Sequence, residues 1–163
     1  MKKQVNQKDL DALLRAAEVA CAGNGARLTQ RRRQVLSELI KSSSSLSAYE
    51  VLDLCNRSTT STMPAMSVYR ILDFLEQQLL VHRLSSSNKY VSCARIACGH
   101  KHFQKTHFLL CEGCSSVEEV DATQEASDAL EQMAKTVGFK LTTQQFELSG
   151  ICTSCQNSAG GGV

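Results

Sequence analysis

Tryptophan is absent from this 163-residue chain, proline occurs once, at Pro64, and aromatic residues make up only 5% of it. No apolar run approaches the roughly 20 residues that a membrane-spanning helix needs, and the N-terminus carries no signal-like apolar stretch. The expectation is a cytoplasmic protein with no membrane partner. Nor does one sign of charge dominate, since the net charge is only +2. Dividing the chain changes that picture: residues 1–93 carry 13 Lys/Arg against 8 Asp/Glu, or +5, whereas residues 94–163 carry 5 against 8, or −3. The first half is therefore the candidate for a polyanionic partner.

What the chain does hold is cysteine, eight in all. In a reducing compartment these are thiols and metal ligands rather than disulfides. Four form two CxxC pairs, Cys111-Glu-Gly-Cys114 and Cys152-Thr-Ser-Cys155, with 37 residues between them. Two such knuckles can close a tetrahedral four-thiolate shell around Zn2+. With every position filled by protein, no place remains for water or substrate, so the site staples rather than catalyses, and closure contributes roughly 10–16 kcal/mol to folding. A half-chain of about 80 residues has little core of its own and gains from such a staple. A thioredoxin-like redox pair would need a flanking βαβ pattern, which is missing. The other cysteines differ in kind: Cys21 and Cys55 fall on apolar stripes and read as core.

Hydrophobic spacing gives the architecture. Leu10, Leu13, Leu14, Ala17 and Cys21 mark a first amphipathic helix, closed by Gly23-Asn-Gly25. Thr29 caps a second helix with Val35, Leu36, Leu39 and Ile40 inward and Arg31, Arg32 and Arg33 in its first turn, where positive charge opposes the helix dipole and suggests an anion. Ser47-Ala-Tyr-Glu50 is a capping box for a third helix, which buries Val51, Leu52 and Cys55. Pro64 opens a fourth helix whose inner stripe is Val68, Ile71, Leu72 and Leu75, with Ser67, Tyr69, Arg70 and Asp73 on other faces. Leu80–Leu84 and Lys89–Cys93 then read as a hairpin. Helices followed by a hairpin make a winged helix-turn-helix, the fourth helix suited to a major groove and the wing and arginine cluster to phosphates. Residues 94–106, rich in histidine, form a hinge. Beyond it, strands at 107–111 and 116–120 flank the first knuckle. A helix follows with an inner stripe of Ala126, Ala129, Leu130, Met133, Ala134 and Val137, and a long strand from Lys140 to Ser149 delivers the second knuckle. The fold class is α+β, with a winged-helix domain at 1–93, a hinge at 94–106, an αβ domain at 107–156 and a flexible tail at 157–163.

This order of parts resembles the Fur family of metal-sensing repressors. Arg27-Leu-Thr-Gln-Arg-Arg32 is similar to the family's R-L-T-x-x-R opening, Ser47-Ala-Tyr-Glu50 to its S-A-x-x helix start, Ser67-Val-Tyr-Arg70 to its T/S-V-Y-R recognition helix and Leu79-Leu-Val-His82 to its entry into the wing. The chain departs from the pattern at Gln30, where proline is common, and at Ser149, where many members have histidine. The resemblance covers about residues 8–156 and, within the family, points to the zinc-uptake regulators. It implies that the αβ domain dimerises and that each chain binds one structural and one regulatory zinc.

The regulatory ligands it implies are His82, Cys93, the hinge residue His102 and Glu119, with His100, His107 and Cys98 as alternates. A thiolate at Cys93 tilts such a site toward zinc. Ligands drawn from wing, hinge and dimerisation domain bind one ion tightly in only one mutual orientation, so zinc selects the orientation that fits a double-stranded DNA operator of two-fold symmetry. Arg70 is the expected base reader, bidentate to guanine, with Tyr69 at a thymine methyl or a phosphate, Tyr49 and Ser67 beside them, and Arg31, Arg32, Arg33 and Lys89 on phosphates. The expected function is a homodimeric repressor of zinc-uptake genes with zinc as corepressor, no small-molecule substrate and no enzymatic activity. An iron or peroxide sensor of the same family, or a zinc-stabilised interaction module without DNA binding, are the alternatives.

Overall fold

The computed structural model describes residues 5–58, 62–98, 106–121, 123–142 and 145–159. Its chain divides into two compact units, Met1–Lys101 and His102–Val163, and the division falls within the expected hinge.

The first unit packs four helices, α1 (Gln7–Gly23), α2 (Gln30–Lys41), α3 (Ala48–Arg57) and α4 (Ala65–Gln77), against a hairpin of β1 (Val81–Leu84) and β2 (Lys89–Ser92). The helices bury most of the stripes their sequences predict: Leu10, Leu14, Ala17 and Cys21 on α1, Val35, Leu36, Leu39 and Ile40 on α2, Val51 and Cys55 on α3, and Val68, Ile71, Leu72 and Leu75 on α4, whereas Leu13 and Leu52 are only half-buried against the same core. Helix starts are fixed locally. The Ser47 hydroxyl accepts from Glu50 N–H and the Glu50 carboxylate accepts from Ser47 N–H, the reciprocal pair of a capping box. Thr29 stands at the N-cap of α2 without a side-chain cap bond, contrary to the sequence expectation. Into α4 the chain is held by Asn56, whose amide donates to Met63 C=O at 3.4 Å and accepts from Met63 N–H at 2.7 Å. The hairpin pairs antiparallel with His82 opposite Val91. Tyr90 on β2 also forms a bridge to Leu46, which ties the wing to the entry of α3. The start of the expected hinge is not loose: Ile96–Cys98 is a 3-10 turn, and Ile96 is buried in the helical core.

The second unit has a three-stranded sheet in the order β4-β3-β5, with β3 (Thr106–Cys111) central, β4 (Val117–Asp121) antiparallel to it and β5 (Phe146–Gly150) parallel. Helix α5 (Gln124–Thr136), capped by Thr123, lies between β4 and β5 in the chain. Three expectations need correction. Of the predicted inner stripe of α5 only Ala134 is buried, with Leu130 half-buried; Ala126 and Ala129 are exposed, as are Met133 at 62% and Val137 at 71%, and Ser127 is buried instead. Positions 127 and 134 lie seven residues apart on one face of the helix, and both carry small side chains. Among the described residues the last strand is β5 (Phe146–Gly150), five residues long rather than the expected ten, paired with β3 from His107 opposite Phe146 to Cys111 opposite Gly150. Of the expected flexible tail at 157–163, the described residues 157–159 are helical instead, the end of α6 (Thr153–Ala159). Among the described residues no helix is long and apolar enough to cross a membrane.

Candidate metal centres and nucleic-acid interface

The four-cysteine cluster follows from the sheet. Cys111 ends β3 opposite Gly150, so parallel pairing brings Cys152, two residues on, alongside it. The tight turn after Cys111, closed by Ser115 N–H to Cys111 C=O at 2.9 Å, folds Cys114 back, and α6 turns Cys155 to the same point. One sulfur from each of the four lies within 4.8 Å of the others, with Cys114 and Cys152 sulfurs 3.7 Å apart. A tetrahedron of Zn–S bonds of about 2.3 Å has edges of about 3.8 Å, so the donor set fits zinc. Gly113 is part of that fit, because a Cβ there would stand 2.9 Å from Cys155 Sγ and 3.1 Å from its Cβ.

Local dipoles prepare the site unequally. Backbone N–H groups, that of Cys152 foremost, point at Cys111 Sγ and bring its thiol down to about 6. Hydrogen bonding to Ser116 lowers Cys114 as well. Cys155 faces the other three sulfurs, Cys152 most of all, and is pushed up to about 12. A divalent cation overrides that repulsion by taking all four as thiolates.

The remaining candidate ligands divide between the units. His82 and Cys93 share a face of the wing: His82 sits opposite Val91, and Cys93 lies two residues further along the same side. Their ligand atoms are within 4.8 Å of each other, Cys93 N–H is held by Leu80 C=O at 2.9 Å, and Arg95 N–H donates to Cys93 Sγ at 3.4 Å. In the second unit Glu119 is half-buried opposite Phe108, while Glu118 stands opposite Leu109 on the other face and is exposed. His107 shares the face of Glu118, not of Glu119. It is buried with its ring edge-on to Phe146 at 4.9 Å, and neither ring nitrogen has a hydrogen-bond partner among the described residues. His100, His102 and the Cys98 side chain lie outside the described residues.

On the first unit, Tyr49 near the start of α3 is 68% exposed and meets half-buried Tyr69 of α4 edge to face. Arg70 is exposed and Ser67 half-buried on α4. The arginine cluster is not uniform. Arg32 lies over the Phe74 ring, 3.4 Å from its centroid, and donates to Arg27 C=O at 2.6 Å, while Arg33 is paired with Glu18. Lys89 on the wing pairs with Glu50 at 3.3 Å. Of these five cationic side chains, only Arg31 and Arg70 make no hydrogen bond or ion pair among the described residues. Sequence reading missed the Arg32–Phe74 and Arg33–Glu18 contacts, which span different helices and leave no local spacing signal. Gly113 did leave one, as the sole glycine inside either CxxC turn.

A model of the ferric uptake regulator family matches residues 23–149. The chain is 35% identical over 146 residues to the zinc uptake regulation protein of Escherichia coli K12, spanning 88% of this chain and 81% of that protein. It is 27% identical to the ferric uptake regulation protein of Helicobacter pylori, over 91% and 95% of the two chains. Among solved structures, a zinc uptake regulator complexed with zinc and DNA superposes with a TM-score of 0.78 at 30% identity, covering 92% of this chain and 97% of that one. The holo form of XcZur gives 0.73 at 33% identity, covering 90% and 99%.

Proposed function

Since the chain belongs to the ferric uptake regulator family, we propose that it is a zinc-sensing, DNA-binding transcriptional repressor of zinc-uptake genes, acting in the cytoplasm. It is a regulator, as its family's members are, and not an enzyme. The observation that carries the sensing role is a division of labour between two sets of thiols. The four-cysteine cluster is complete within the second unit, and a separate imidazole–thiol pair, His82 and Cys93, stands at the root of the wing.

In this reading Cys111, Cys114, Cys152 and Cys155 hold a permanent structural zinc. The regulatory zinc takes His82 and Cys93 together with His102 and Glu119, one of each per chain. Ligands that belong to both units can share one ion only in one mutual arrangement, so zinc selects that arrangement from the apo ensemble. The second unit makes the homodimer contact, supported by its exposed apolar residues Met133, Val137, Phe139 and Leu148. A two-fold dimer then sets the two α4 helices at a fixed spacing on a two-fold operator. Arg70 reads a base edge, Tyr49, Ser67 and Tyr69 flank it, and Arg31 holds a phosphate.

The test is fluorescence anisotropy with an operator duplex at buffered free zinc, iron and manganese, on wild type and Cys93→Ser, with metal content measured alongside. Zinc alone should switch on binding by wild type, and Cys93→Ser should keep about one zinc per chain yet lose the switch. Equal binding without metal, or a mutant that responds as wild type does, overturns the sensing reading.

A further inference from the structure

We propose that Met66 reads a thymine methyl group in the operator, an inference that rests on the DNA-binding role of α4. Met66 is the second residue of α4 and is 64% exposed, the most exposed large apolar side chain of that helix. It lies on one outward stripe with Tyr69, Arg70 and Asp73, at i, i+3, i+4 and i+7, opposite the buried Val68, Ile71, Leu72 and Leu75. Its position is fixed from behind. Asn56 grips the Met63 backbone by two hydrogen bonds, Met63 itself is buried, and Pro64 sets the first turn. The entry to α4 is thus anchored three residues before Met66.

The occupant follows from charge and chemistry. The unit that carries Met66 has the chain's positive excess, and Arg70, one turn along the same stripe, is unpaired among the described residues. In a major groove, residues near the N-terminus of the inserted helix face base edges. Those edges present hydrogen-bond donors and acceptors, which a thioether leaves unsatisfied, and a single apolar feature, the C5 methyl of thymine. Four residues of helix advance roughly 6 Å, and stacked bases are about 3.4 Å apart, so the thymine lies about two base steps from the base read by Arg70. Met66 then adds an apolar readout of one base beside the hydrogen-bond readout by Arg70.

Uracil differs from thymine only in lacking that methyl, which gives a direct test. An operator is first selected from random duplexes with the zinc-loaded protein. Each half-site thymine is then replaced by deoxyuridine in symmetric pairs, and binding is measured for wild type, Met66→Ala and Met66→Leu, each checked for folding by thermal melting. Wild type should lose about fourfold per methyl removed at one position of each half-site. Met66→Ala should bind the thymine operator correspondingly less well and no longer distinguish uracil there, while Met66→Leu keeps the discrimination. A thymine-to-uracil ratio that Met66→Ala leaves unchanged at every position overturns the contact alone. Failure of the zinc-loaded wild type to select any duplex overturns the repressor reading and this inference with it.

Discussion

The rings of Tyr49 and Tyr69 meet edge to face, with centroids 6.3 Å apart and planes at 87°. One belongs to α3 and the other to α4, so the contact couples the two helices on the side that carries Arg70. Such a pair contributes about 0.5–1.5 kcal/mol beyond the area it buries. In a double-mutant cycle, Tyr49→Ala and Tyr69→Ala should show a coupling of about 1 kcal/mol in urea unfolding of the first unit. Additive effects would mean that the two rings act separately.

The arginine cluster should separate into two kinds. Arg31→Ala leaves stability within about 0.5 kcal/mol of wild type, since the side chain is exposed and unpaired among the described residues, and reduces the salt dependence of operator binding by about one unit of slope per protomer, about two for the dimer. Arg32→Ala also removes the stack on Phe74, and should lower stability by about 1 kcal/mol. Salt titrations of DNA binding, paired with thermal melts, distinguish the two.

Gly113 should tolerate no side chain. An alanine Cβ at 2.9 Å from Cys155 Sγ forces the knuckle apart, and zinc affinity measured against a competing chelator should fall about tenfold or more in Gly113→Ala. Gly150→Ala, whose Cβ meets nothing within 4 Å, is the matched control and should retain zinc as wild type does.

Burial pushes the Cys55 thiol up to about 11, with nearby Glu38 adding to it. An acid whose folded pKa is raised stays protonated after the unfolded chain has begun to ionise, so the unfolded state is favoured as pH rises. The expected loss of stability begins near the ordinary thiol value of 9.0 and continues to about 11. Urea unfolding between pH 8 and roughly 11 should therefore show a steeper decline for wild type than for Cys55→Ala. Parallel curves for the two proteins would contradict this account.

Much of the molecule was legible in its residues because the signals are local. The stripes of α1 to α4, the Ser47–Glu50 capping box and the paired CxxC turns each depend on spacing within one element, and each has its expected counterpart in the fold. The opposite faces of Glu118 and Glu119 also follow from strand parity. What the residues left open depends on contacts between elements. The apolar side chains of α5 gave an inward stripe on paper, whereas packing put Ser127 and Ala134 inward and left Met133 and Val137 outside. Hydrophobic periodicity says that a face wants burial, not whether the chain's own sheet or another molecule supplies it. Likewise, three adjacent arginines look alike in sequence. Only the fold decided that Arg32 stacks on Phe74, that Arg33 meets Glu18 and that Arg31 remains open, because the partners come from α4 and α1 and their approach is set by helix packing. Composition and spacing thus determined which chemistry the chain carries, and tertiary packing decided which of its like residues are left exposed to perform it.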